Sequence, residues 1–126
     1  MNADTTLDRL IRVREVRARL ALAALGRVES RRRGEAALDD RVQALLAGSG
    51  SSIGRVDANA ANARAAADAM LGRLADDVAR RLAVTGAEQR LLGDALARAR
   101  AAVDAAVNRR IERRAGHQDS RENSHD

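Results

Sequence analysis

Apolar residues recur at three- and four-residue intervals along two long stretches, with charged residues filling the positions between them. The first stripe runs through Leu7, Leu10, Ile11, Val13, Ala18, Ala21, Leu22, Leu25 and Val28, thins over residues 30–35, and resumes at Leu38, Val42, Leu45 and Leu46. The second runs through Val56, Ala60, Ala63, Ala67, Leu71, Leu74, Val78 and Leu82, then through Leu92, Leu96, Ala99, Val103, Val107 and Ile111. This spacing gathers apolar groups on one side of an α-helix. Asp4, Thr5 and Thr6 are candidate N-caps, and Asp8 is placed to favour the helix dipole. The strong breaker is GSGSSIG at residues 48–54, which permits a reversal. The pattern predicts an all-α fold, a long antiparallel two-helix coiled-coil hairpin over residues 1–115. Its helices are expected at about 5–47 and about 55–114 with the turn at 48–54, and a disordered polar tail follows at 116–126.

Acid-first pairs four residues apart support both helices: Asp8–Arg12, Glu15–Arg19, Asp76–Arg80, Asp77–Arg81 and Asp94–Arg98. Thr85-Gly86-Ala87-Glu88 has the spacing of a capping box, so a third helix could start there. A helix continuing through Gly86 is the favoured reading, because neither Pro nor a long polar cluster interrupts it.

A reversal near Ser51 sets residue 7 opposite 95 and residue 25 opposite 77. Residues 98–114 would then project past the first helix by roughly 25 Å. That overhang would carry Val103, Val107 and Ile111 on one face and need an intermolecular partner.

Composition sharpens this reading. The chain has no Pro, Cys, Phe, Tyr or Trp, and its 23 basic residues are all Arg, against 18 acidic ones. Zero Cys excludes disulfides and thiolate chemistry, and the scarcity of β-branched and aromatic residues argues against a sandwich or barrel. Charge is polarised: residues 1–34 hold nine Arg against four acids, residues 35–89 six against eight, and residues 90–114 seven against three. The hairpin would bring the two basic segments together at the end bearing the termini, suited to an acidic opening.

Catalytic material is scarce. His117 and His125 lie in the polar tail with Asp119, where nothing preorganises a metal site. Gly48, Gly50 and Gly54 lack the Lys-Ser/Thr ending of a phosphate loop. Asp39–Asp40 and Asp76–Asp77 are neighbours that point to different sides of a helix. These features predict no enzyme activity, no cofactor and no small-molecule substrate. Nucleic-acid binding is disfavoured by the interleaved acids and the absence of stacking aromatics. The start carries no basic-then-apolar leader and the chain no apolar run long enough to span a bilayer, so a soluble cytoplasmic protein is expected.

The segment TLDRLIRVREVRARLALAALGRVESRRR, opening with Leu7, Leu10 and Val13, resembles the start of the flagellar type III export stalk proteins (the FliJ family, with its virulence-secretion relatives). The segment LARARAAVDAAVNRRIERRAGHQDSRENSHD resembles their charged C-terminal helix and polar end. The resemblance implies a small non-enzymatic coiled coil that inserts its terminal end into a hexameric export ATPase and promotes ring assembly. It also implies contacts with export-gate and chaperone proteins, and a cytoplasmic location peripheral to the inner membrane. Partner-binding positions carried over are Arg9, Arg12 and Arg14 on the first helix and Arg109, Arg110, Arg113 and Arg114 on the second; Val103, Val107 and Ile111 join them from the expected overhang. The chain departs from the family in having no aromatic residue. A generic coiled-coil structural or self-associating adaptor, and a basic nucleic-acid-associated helix, remain the alternatives.

Overall fold

The computed structural model describes residues 2–49 and 58–123, which form two long helices packed against each other: α1 (Ala3–Ser49) and α2 (Ala58–Asn123). Among the described residues there is no strand and no residue with positive φ. The expected helix at 5–47 is therefore present with two further residues at each end. Gly48 and Ser49 continue α1, while the rest of the expected turn (50–54), Val56 and the expected start of the second helix at 55 lie outside the described residues.

Asn2, rather than Asp4, Thr5 or Thr6, caps α1. Its carbonyl accepts from the Thr5 and Thr6 amides (3.1 and 3.3 Å) and its Oδ1 from the Asp4 amide (3.4 Å). Asparagine is as strong a cap as aspartate, and the choice leaves Asp4 in the first turn against the positive end of the dipole. At the other end of the chain, α2 runs on through Gly116 to Asn123, over residues expected to be a disordered tail. Nothing lies within 4 Å of a Cβ built on Gly116, and residues 111–123 are all exposed. Without Pro, and with residues such as Arg121 that favour helix, nothing in the sequence stops α2 earlier.

The chain forms two compact units, Met1–Gly26 with Arg90–Asp126 and Arg27–Gln89. In the first, the cross-helix bonds join Asp4 to Arg113, Asp8 to Arg110 and Arg14 to Ala102, residue numbers that add to between 116 and 118. The inward positions repeat three and four apart: Leu7, Ile11, Arg14, Ala18, Ala21 and Leu25 on α1, and Leu92, Leu96, Ala99, Val103, Ala106 and Arg110 on α2. A sustained repeat of 3.5 is the signature of a coiled-coil seam. Ile11, Leu96 and Ala106 are its buried members.

The second unit has the same construction around Val28, Val42 and Val78, all buried. Its bonds join Arg31 to Glu88, Arg32 to Gln89 and Thr85 to Glu35, adding to between 119 and 121. Here the seam is interrupted by a polar layer. Thr85, 2% exposed, reaches Glu35 at 2.7 Å and the Arg81 carbonyl at 2.8 Å. Thr85 thus bonds back within the helix rather than starting a new one, and α2 passes unbroken through Gly86.

The observed register corrects the expected one by about sixteen residues, some 24 Å along the helix. Folding back symmetrically about Ser51 minimises the connection, but the seam positions set the pairing instead. Residues 98–114 consequently form no overhang, because Arg110 and Arg113 bond to α1 within the first unit. In the second unit the register brings Ser49 level with Met70 or Leu71, so the first turns of α2 are the ones lying beyond the end of α1.

Candidate interaction surface

All ten expected partner-binding residues fall in the unit formed by Met1–Gly26 and Arg90–Asp126, but they divide into two groups. Arg14, Arg110 and Arg113 are engaged inside it. The Arg14 guanidinium donates to the Ala102 carbonyl at 2.8 Å, Arg110 to Asp8 at 3.4 Å, and Arg113 stands 3.5 Å from Asp4. Arg110 occupies a seam position, and its Nε is buried without an acceptor among the described residues. A side chain used this way serves helix pairing, so these three make seam and rim contacts within the fold.

Arg9, Arg12, Arg109 and Arg114 are exposed, and none makes an ion pair among the described residues. Val103 and Val107 are half-buried, whereas Ile111 is 58% exposed. The 3.5 repeat explains the split. Ala106 and Arg110 take the inward positions, so Val107 sits on the flank and Ile111 turns outward.

Asp8 shows the same logic. The expected Asp8–Arg12 pair is replaced by the bond across to Arg110, because Asp8 lies on the edge of α1 that borders α2. Of the five expected pairs along the helices, Asp77–Arg81 is formed, at 2.9 Å, and Arg80 leans toward Asp77 at 3.9 Å rather than to Asp76. Such exposed pairs contribute little stability.

Beside this surface, Asn2, Asp4, Arg114, His117 and Arg121 line a shallow cleft between the start of α1 and the last turns of α2. Among the described residues, no group of three His, Cys, Asp or Glu is placed to hold a metal ion. No described helix is long and apolar enough to cross a membrane. Reading the sequence by hydrophobic period missed two features: the polar layer at Glu35 and Thr85, and the outward row Val13, Val16 and Leu20. The row was visible as a second three- and four-residue spacing; the layer had no apolar signal to find it by.

No protein-family model, curated protein or solved structure matches the chain.

Proposed function

We propose that this chain is a non-enzymatic coiled-coil stalk or adaptor of a flagellar type III protein export apparatus, engaging a hexameric export ATPase and promoting its assembly. The engaging part is the unit formed by Met1–Gly26 and Arg90–Asp126. The observation that carries the reading is its charge: it holds thirteen Arg against nine acidic residues, while Arg27–Gln89 holds ten against nine. Exposed Arg9, Arg12, Arg109 and Arg114 supply cations that no carboxylate in the described fold neutralises. Such a surface is steered toward an acidic opening. On this reading the protein works in the cytoplasm, peripheral to the inner membrane, and also meets export-gate or chaperone proteins there.

The test is co-elution with the same organism's export ATPase on a sizing column. Reversing Arg9, Arg12, Arg109 and Arg114 to Glu should abolish co-elution while leaving helix content unchanged. Reversing the exposed Arg41 and Arg73 of the other unit should leave co-elution intact. Equal binding by all three proteins would overturn the proposal.

A self-associating structural adaptor is the second reading, favoured by the large apolar side chains left exposed at Leu45, Leu91 and Ile111. A concentration-dependent oligomer with no affinity for the ATPase would support it.

A further inference from the structure

We infer that the outward face of α1 in the Met1–Gly26 segment is a docking surface for an acidic amphipathic helix of another protein. The inference uses α1 alone and stands whether or not the export reading holds.

Val13, Val16, Leu20 and Ala23 recur three and four apart on the side of α1 opposite the seam set Ile11, Arg14, Ala18 and Ala21. Val13 is 48% exposed, Val16 50% and Leu20 65%. A single exposed aliphatic residue on a helix means little, but four in register over three turns make a second seam without an intrachain partner. The row is about 15 Å long, the length of about three turns of a facing helix.

Charge identifies the occupant. Arg9 stands at one end of the row, Arg12 and Arg19 along one edge and Arg17 along the other; all four are exposed. None makes an ion pair among the described residues. The acids of this segment, Asp4, Asp8 and Glu15, lie instead on the side toward α2, where Asp4 meets Arg113 and Asp8 meets Arg110. The outward face is thus an apolar stripe bordered by cations alone.

A helix that buries such a stripe needs its own apolar seam, and carboxylates at the flanking positions give it both affinity and register. A second copy docking through the same face would set Arg12, Arg17 and Arg19 against their counterparts, a like-charge arrangement that specific interfaces avoid. Nucleic acid would satisfy the arginines but leave Val13, Val16 and Leu20 against a sugar–phosphate backbone.

The experiment titrates the full chain into a fluorescein-labelled synthetic peptide of about three heptads, with a Leu/Ile seam flanked by Glu, followed by anisotropy. A second peptide carries Lys in place of Glu. The Glu peptide should bind saturably and the Lys peptide should not. Val16→Gln with Leu20→Gln should weaken binding about tenfold or more without changing helix content. Arg12→Glu with Arg19→Glu should transfer preference to the Lys peptide. A peptide that merely displaced α1 from the seam would ignore the Gln substitutions, so binding insensitive to them overturns the inference. It is equally overturned by no binding, by equal binding of the two peptides, by duplex DNA competing regardless of the Gln substitutions, or by a dimer of the chain that Leu20→Gln dissolves.

Discussion

Thr85 carries one hydroxyl proton and has two acceptors within reach, the Glu35 carboxylate and the Arg81 carbonyl. Thr85→Val keeps the shape of the side chain but leaves the half-buried Glu35 oxygen without that donor. The expected cost is about 1–2 kcal/mol, read as a lower midpoint in urea by circular dichroism. Adding Glu35→Leu should recover the loss, since replacing both polar partners by apolar groups removes the desolvation penalty. Arg110 is the mirror case. It sits in the seam with its Nε unsatisfied, and its bond to Asp8 is partly exposed. Arg110→Leu should therefore stabilise the chain by about 1 kcal/mol, since the lost pair is worth less than the relieved burial. A lower melting temperature for this variant would show that the Asp8 pair dominates. At this scale Arg14, Arg110 and Thr85 were hidden in the sequence, because each is a polar residue at an inward position and no hydrophobic pattern selects it.

The helices themselves were legible; their register was not. Leucine and valine at helical spacing, with no Pro, dictate long helices. Alanine, however, fills inward and outward positions alike: Ala18 and Ala99 face the seam while Ala60, Ala63 and Ala67 are exposed. A stripe rich in Ala carries little area to distinguish one alignment from another. The apolar spacing accordingly predicts Val13 and Leu22 to face inward, and both are exposed. The alignment depends on sparse large residues and on the bonds at Asp8, Arg14 and Glu35. It can be tested directly because the chain has no native Cys. Ala18→Cys with Ala99→Cys should be bridged by a short bifunctional thiol reagent within one chain, whereas Ala18→Cys with Val84→Cys should not. The reverse result would restore the symmetric fold-back about Ser51. Gly34 lies exposed inside α1 with nothing within 4 Å of a built Cβ. Gly34→Ala should raise the thermal midpoint through about 0.5–1 kcal/mol of helix stabilisation.

At the scale of the whole molecule, the register changes what a truncation means. Residues 98–114 contribute Val103, Ala106 and Arg110 to the seam, so deleting them should also unfold much of the α1 segment they cover, seen as a loss of ellipticity larger than the deleted length. Retained helicity would revive the free overhang. The working surface must therefore be probed by changing exposed charges rather than by removing chain. Partner binding should fall as salt rises while the melting temperature moves little, because the seam is held mainly by apolar burial and its ion pairs are partly exposed. The measurement that tests the functional account most directly is the hydrolysis rate of the same organism's flagellar export ATPase, with and without the purified chain. The account predicts stimulation by the intact protein that disappears when Arg9, Arg12, Arg109 and Arg114 are reversed to Glu in a chain of undiminished helicity. No stimulation by the intact protein, or stimulation that survives the reversal, would contradict it.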